Sequence, residues 1–254
     1  MGRRRFYAPV EAFSGDHVTL STDEARHLRD VLRLGPGDEI DVFDGAGREF
    51  QCAIEESRRD WASLRVIVEV PAKKPESPLD LTLAIALLKG EKFDLVVQKA
   101  TELGVRRIQP VITQRADVRL RDDQDAKRGT RWQRIAMESA KQSGRARVPE
   151  IAAPISFASL LDRAASGDFS ERAQLLMFSE RDGKPFSEAL GQLLPAPSAV
   201  IALVGSEGGW TDEEIAEARA RGWGIVTLGG RILRAETAAI VVVTLMQHLL
   251  GDLE

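Results

Sequence analysis

The residues of this chain best suited to chemistry stand in two glycine-rich segments near its C-terminal end. Gly205-Ser206-Glu207-Gly208-Gly209 follows the apolar run Val200 to Val204, and Leu228-Gly229-Gly230-Arg231-Ile232-Leu233-Arg234-Ala235-Glu236 comes roughly twenty residues later. Each segment reads as a buried strand, then a turn whose backbone can take positive φ or approach a ligand, then the start of a helix. Between them they present two carboxylates and two guanidiniums, groups that move protons and steady anions. Two such loops at the same end of neighbouring strands make a cleft in an open α/β sheet. The cleft lacks the marks of a pyrophosphate site: no G-x-G-x-x-G follows a strand, and Gly183-Lys184 lacks the rest of a P-loop. A nucleophile elbow around Ser206 would need glycine where Val204 stands. His17, His27, His248 and Cys52 are too scattered for a metal site or a Cys/His pair, so no metal is expected.

The elements that must position these loops are legible as two regions. Pro71-Ala72-Lys73-Lys74-Pro75-Glu76-Ser77-Pro78 reads as a stiff, solvated linker, so the expected domains are residues 1–72 and 73–254. Before the linker, β-like runs (39–43, 50–54, 64–70) separated by Gly35-Pro36-Gly37 and Asp44-Gly45-Ala46-Gly47 predict a small barrel. A helix over about 21–34 interrupts them, with Ala25, Leu28, Val31 and Leu32 on one face and Arg26, Arg29 and Arg33 opposite. After the linker, strands at 79–87, 108–112, 174–178, 199–204 and 225–228 alternate with helices, which predicts an α/β domain with a parallel sheet. A helix is predicted over 91–103, and Thr211-Asp212-Glu213-Glu214 has capping-box spacing at the start of another. The last helix, about 235–250, is apolar on nearly all sides and must be covered by its own domain or by a second subunit.

At 254 residues and 43% hydrophobic content, the chain can bury a sizeable core. The single cysteine fits a reducing compartment, Met1 to Phe6 is not followed by an apolar stretch, and no run approaches a bilayer span. A cytoplasmic protein without membrane contact is the expectation. A net charge of −4 argues against a chain coated in nucleic acid, yet basic residues cluster at Arg3-Arg4-Arg5, at Arg26, Arg29 and Arg33, at Arg115, Arg119 and Arg121, and at Lys141, Arg145 and Arg147. Each cluster alone can be a solvated face; jointly they suggest a phosphate-facing side.

With these residues in view, the sequence resembles the SPOUT methyltransferases. Gly205 to Thr211 is similar to their G-P-E-G-G loop, and Leu228 to Thr237 to their L-G-x-R-[IV]-L-R-x-E-T loop. Leu88-Lys89-Gly90-Glu91-Lys92-Phe93-Asp94, Gln98 to Val105, Gln142 to Pro149 and His27 to Asp38 extend the likeness over nearly the whole chain, toward the bacterial 16S rRNA (uracil-N3)-methyltransferases. Ser206 and Gly230 depart from the pattern, standing where the family often has proline, which leaves both loops without a fixed φ.

The resemblance implies a trefoil-knotted, parallel-sheet SPOUT domain after a PUA-like RNA-binding β-barrel, a homodimer, small-subunit ribosomal RNA as substrate and S-adenosylmethionine as methyl donor. It further implies that Met177, Phe178, Val204, Gly205, Glu207, Gly208, Gly209, Leu228, Gly229, Ile232, Leu233 and Ala235 line the cofactor pocket. Because uracil N3 carries a proton, transfer there needs a base or a charge that stabilises the uracil anion. Arg231 and Arg234 are candidates for the charge, Glu207 and Glu236 for the base; Glu236 can equally serve the amides and dipole of its own helix. Arg3, Arg4, Arg5, Arg29, Arg33, Gln142, Arg145 and Arg147 are the RNA-facing candidates. Another SPOUT activity such as ribose 2'-O-methylation, or a catalytically idle ribosome-associated RNA-binding module, stays open.

Overall fold

The computed structural model describes residues 4–116, 122–170, 172–191 and 196–253. Arg3, Arg119 and Arg121 lie outside the described residues. The chain divides into two compact units, Met1–Glu76 with Met137–Val148, and Ser77–Ala136 with Pro149–Glu254.

In the first unit, β1 (Arg5–Tyr7), β2 (Phe13–Ser14), β3 (His17–Leu20), β4 (Glu39–Phe43), β5 (Glu49–Ser57) and β6 (Ala62–Val70) form one sheet in the order β1-β4-β5-β6-β3-β2. Alternation along the strands sends Ile40, Val42, Phe50, Cys52, Ile54 and Leu64 into a common core with Phe6, Leu20 and Leu28. Burial pushes the Cys52 thiol up to about 12, so the one cysteine is a protonated, apolar filler there.

The helix expected over 21–34 is shorter and irregular. A helix α1 (Thr22–Arg26) passes into a wide π-turn over His27–Val31, and the turn closes where Leu34 N–H donates to the carbonyl of Leu28 at 3.0 Å. Arg33, at φ 57°, takes the left-handed position that usually holds glycine in such a stop. The wider turn rotates the apolar stripe: Ala25 and Leu28 are buried as predicted, but Val31 is 66% exposed.

The first unit also extends beyond residue 72, and not contiguously. Glu49 accepts from the backbone N–H of Lys73 at 3.2 Å, and the Glu76 carboxylate holds Arg145 at 2.6 Å and the Arg147 N–H at 3.2 Å. These bonds bring the predicted linker as far as Glu76, together with residues 137–148, into the first unit, while Ser77 and Pro78 belong to the second. Arg5 is part of the same framework. Its guanidinium, 7% exposed, meets Glu49 at 2.9 Å and the carbonyls of Ala140 and Arg145 at 3.2 and 2.6 Å, and it lies 4.0 Å over the Phe43 ring. Burial and these partners withdraw Arg5 and Arg145 from the set expected to face phosphates. Arg5→Met, which strands Glu49 without its buried partner, should lower stability by about 3 kcal/mol, read as a fall in the denaturation midpoint; an unchanged midpoint would return Arg5 to the surface set.

The second unit is a parallel sheet with helices. Its elements run β7 (Asp80–Ala86), α2 (Glu91–Glu102), β8 (Arg107–Ile112), α3 (Asp122–Ser143, whose last turns from Met137 belong to the first unit), β9 (Glu150–Ile151) and β10 (Ile155–Ser156). They continue through α4 (Phe157–Ala165), β11 (Gln174–Phe178), β12 (Lys184–Pro185), α5 (Phe186–Gly191), β13 (Ala199–Val204), α6 (Asp212–Ala220), β14 (Gly224–Thr227) and α7 (Ala235–Leu250). The order across the sheet is β10-β8-β7-β13-β11-β14-β12, with β9 beside β8, and all these pairs are parallel. β13 is buried at every position and β7 at six of seven, as a sheet covered on both faces requires. Along α7, Ala239, Val242, Val243 and Met246 are fully buried, whereas Leu249 is 43% exposed. Its own domain therefore covers part of that helix and not all of it. Among the described residues no helix is long and apolar enough to cross a membrane.

Candidate active site

Sheet register brings the two glycine loops together. Phe178 at the end of β11 pairs with Val204 on one side and Val226 on the other, so the turns after β13, β11 and β14 open at one end of the sheet. They surround a cleft of about 880 Å³, open mouth included. Phe178, Val204, Leu228, Ile232, Leu233, Ala235 and Ala238 give it apolar walls; Gly205, Glu207, Gly208, Gly209 and Gly229 contribute loop wall, and Glu180 contributes a carboxylate. Of the twelve residues expected there, Met177 alone is absent from the lining, being fully buried in the core beneath.

Several contacts fix the first loop. The Trp210 indole N–H donates to the carbonyl of Phe178 at 2.8 Å, tying the loop after β13 to the end of β11, and the ring packs 5.7 Å from Phe157. A Cβ on Gly205 would come within 2.9 Å of that indole, which is why glycine stands there. The Thr211–Glu214 capping box forms, and Glu214, only 2% exposed, also accepts the Gln114 N–H at 2.9 Å. That bond seats the neighbouring Arg115 against the loop, where its guanidinium donates to the Gly208 carbonyl at 3.1 Å. The Ser206 hydroxyl in turn donates to the Arg115 carbonyl at 3.2 Å. A proline at 206 could not make this bond, so a hydrogen bond stands in for ring-imposed rigidity.

Gly209, at φ 65°, sits against Glu180, whose Oε1 would lie 2.7 Å from an added Cβ. Gly229, at φ 122°, gives the second loop its turn, while Gly230 has open space around it. The cleft thus offers apolar walls for a flat ring, loop backbone for polar edges, and a carboxylate for a cationic group. An elongated ligand combining an aromatic base with positive charge fits this chemistry.

The chain matches the RNA methyltransferase domain family over residues 75–247 and the RNA methyltransferase PUA domain family over residues 20–67. It is 36% identical to "Ribosomal RNA small subunit methyltransferase E" of Synechocystis, over 98% of this chain and 78% of the relative. The protein of the same name from Bacillus subtilis is 32% identical over 91% of this chain and 89% of the relative. The chain belongs to this RNA methyltransferase family. In fold it is similar to the Neisseria gonorrhoeae member, solved bound to S-adenosyl methionine, with a TM-score of 0.85 and 34% identity over the full length of both chains. A Legionella pneumophila methyltransferase in complex with bound SAM superposes with a TM-score of 0.86 at 31% identity, again over both full lengths.

The structure separates the charged candidates that the family motif groups together. Arg231 lines the cleft and is exposed at its mouth; Arg234 is the exposed residue that begins α7 and is not part of the lining. Glu207 lines the cleft, is half-exposed, and forms an ion pair with Lys92 at the start of α2. Glu236 lies in the first turn of α7 with Oε2 buried and unbonded, and no side chain caps that helix. Ser179, Glu180, Trp210, Thr227 and Ala238 also belong to the lining, and the sequence reading did not place them there. Their signal was position alone: Ser179 and Glu180 follow a predicted strand whose neighbours carry the glycine loops.

In the first unit Arg4, Arg33 and Gln142 are exposed, Arg147 is half-buried beside Gly47, and Arg29 holds Asp30 at 2.6 Å and the Arg58 carbonyl at 2.9 Å. That contact with Asp30 raises the Arg29 pKa and lowers that of Asp30.

A side chain at Gly208 would collide with Arg115, whose Cβ and carbonyl oxygen would stand 2.9 and 3.0 Å from the new Cβ. The clash is with the loop's support and not with the ligand space itself. Gly208→Val should therefore push the loop off Arg115 and remove S-adenosylmethionine binding in a calorimetric titration, with the circular dichroism spectrum unchanged; undiminished heat would show that the loop does not hold the cofactor.

Proposed function

We propose that this protein transfers the methyl group of S-adenosylmethionine to N3 of a uridine in 16S ribosomal RNA. The observation that carries the reading is the cleft between the loops after β13 and β14, in a chain similar over its full length to a small-subunit RNA methyltransferase solved with that cofactor. Backbone and apolar residues of the two loops, with Phe178 as a third wall, hold the adenosine part. Glu180 faces the positive charge of the methionine part. S-adenosylmethionine supplies an activated methyl group, which leaves the protein to orient it, exclude water and manage the uracil proton.

Deprotonated uracil is an anion, and Arg231 at the mouth of the cleft is placed to stabilise it, with Arg234 one helix-start away. Glu236, with an oxygen bonded to nothing, and Glu207 are the candidate proton acceptors. The exposed basic residues of the first unit, Arg4, Arg29, Arg33 and Arg147, together with Gln142, are proposed to contact RNA phosphates. A trefoil knot in the second unit and a cytoplasmic homodimer that covers the apolar remainder of α7 complete the reading.

Arg231→Ala should lower turnover by about 10² at saturating RNA, because a charge that stabilises the anion acts chiefly in the transition state. Glu180→Gln should instead weaken S-adenosylmethionine binding roughly tenfold, the worth of one charge-assisted hydrogen bond, and leave RNA affinity alone. Mass spectrometry of digested nucleosides decides the regiochemistry: N3-methyluridine is expected, and a methyl group on ribose O2' or uracil C5 would overturn that part of the reading. Light scattering that gave a monomer at micromolar concentration would refute the dimer.

A further inference from the structure

The Gly205–Gly209 loop is lined on two sides. Ser206, Glu207 and Gly208 face the cofactor cleft and also a shallow surface groove of about 280 Å³, most of it open to solvent, whose other walls are Leu87, Leu88, Lys89, Lys92 and Arg115. Its floor is apolar, since Leu87 and Leu88 are buried. Three cations line it against a single carboxylate, Glu207. Helix α2 begins at this groove. Gly90 precedes its first turn at φ 60° with no side-chain cap, and Lys89 and Lys92, on either side of that start, both line the groove.

We infer that this groove is a phosphate subsite for the RNA strand that carries the target nucleotide, and that Lys92 exchanges Glu207 for the phosphate when RNA arrives. The inference rests on the RNA reading above. In the ligand-free protein Lys92 pairs with Glu207, but the two side chains are 35% and 50% exposed, so water screens the pair and little is lost in breaking it. A phosphodiester in the groove takes Lys92 from that screened pair and lies in the positive field of Lys89 and Arg115, which keep their own contacts, next to an apolar floor that excludes water from one side. One loop thickness separates that phosphate from the cleft, so a strand anchored there presents an adjacent base to the mouth where Arg231 stands. The exchange also releases the Glu207 carboxylate on the side of the loop where the reaction takes place. Arg115 has a second task, holding Gly208, so the test is placed on Lys92 and Glu207.

The experiment measures binding of a 16S rRNA transcript to the full chain across a series of KCl concentrations, alongside calorimetric titration with S-adenosylmethionine. Lys92→Gln should weaken RNA binding several-fold and reduce the slope of log K against log salt by about 0.7 to 0.9. Lys92→Arg should keep the wild-type slope. Glu207→Gln should shift affinity the other way, tightening RNA binding about threefold, because the internal competitor for Lys92 is gone. Cofactor affinity of the Lys92 variants should equal wild type, which also shows that they are folded. Lys92→Gln and wild type with equal RNA affinity and slope would overturn the subsite, as would equal losses from Lys92→Gln and Glu207→Gln, the signature of a pair that merely braces the loop. Wild type that transfers no methyl group to 16S RNA would instead bring down the RNA reading, and the subsite with it.

Discussion

The site depends on one bond between two turns: the Trp210 indole N–H donating to the carbonyl of Phe178. β11 and β13 are neighbours in the sheet, but neighbouring strands alone leave their trailing loops free to splay. A large ring buried against Phe157, with its single polar atom spent on the partner turn, removes that freedom. Gly205 is the steric counterpart, since any side chain there would occupy the place of the indole. The cleft is accordingly preformed by packing and does not wait for a ligand to assemble it.

A second layer of support comes from Glu214. Its two oxygens close the capping box of α6 and hold the turn after β8, so the helix start that follows β13 and the end of β8, two positions away in the sheet, are joined through one buried carboxylate. Arg115 and Ser206 extend that support to the loop by hydrogen bonds. The departure of Ser206 from the family's proline thus trades covalent rigidity for a contact network, and the network delivers Arg115 into the groove beside Lys92.

How much of this was legible in the sequence follows from the strength of each physical signal. The strands at 39–43, 174–178 and 199–204 and the helix at 235–250 coincide with the structure because their apolar runs are unbroken and their ends are marked by glycine, charge or both. α3 carried no such signal: its buried face is built from Trp132, Ala136, Ser139 and Ala140, mostly small residues whose burial barely registers as hydrophobic periodicity. The π-turn after α1 was invisible because the same residues satisfy a regular helical stripe. In the cleft, glycine loops announced their own backbone but not what packs behind them. Trp210 was noted as part of a motif, yet its bond to Phe178 is a tertiary contact over 32 residues and has no local trace. Arg5 and Arg145 misled for a related reason, since a basic cluster in sequence says nothing of whether its guanidiniums meet solvent or a buried carboxylate.

The discontinuity of the first unit governs how this protein can be made. A chain emerging from the ribosome presents residues 1–76 first, with the sheet and its apolar core already encoded. Yet Arg5 then has Glu49 and lacks the carbonyls of Ala140 and Arg145, Glu76 has no guanidinium to hold, and Phe43 waits for Ala140 and Ala146 to cover it. These partners arrive only after β7, α2 and β8 of the second unit have been synthesised. The first unit therefore reaches its final form partway through synthesis of the second, and neither is a cassette that recombination could lift out at the proline-rich segment.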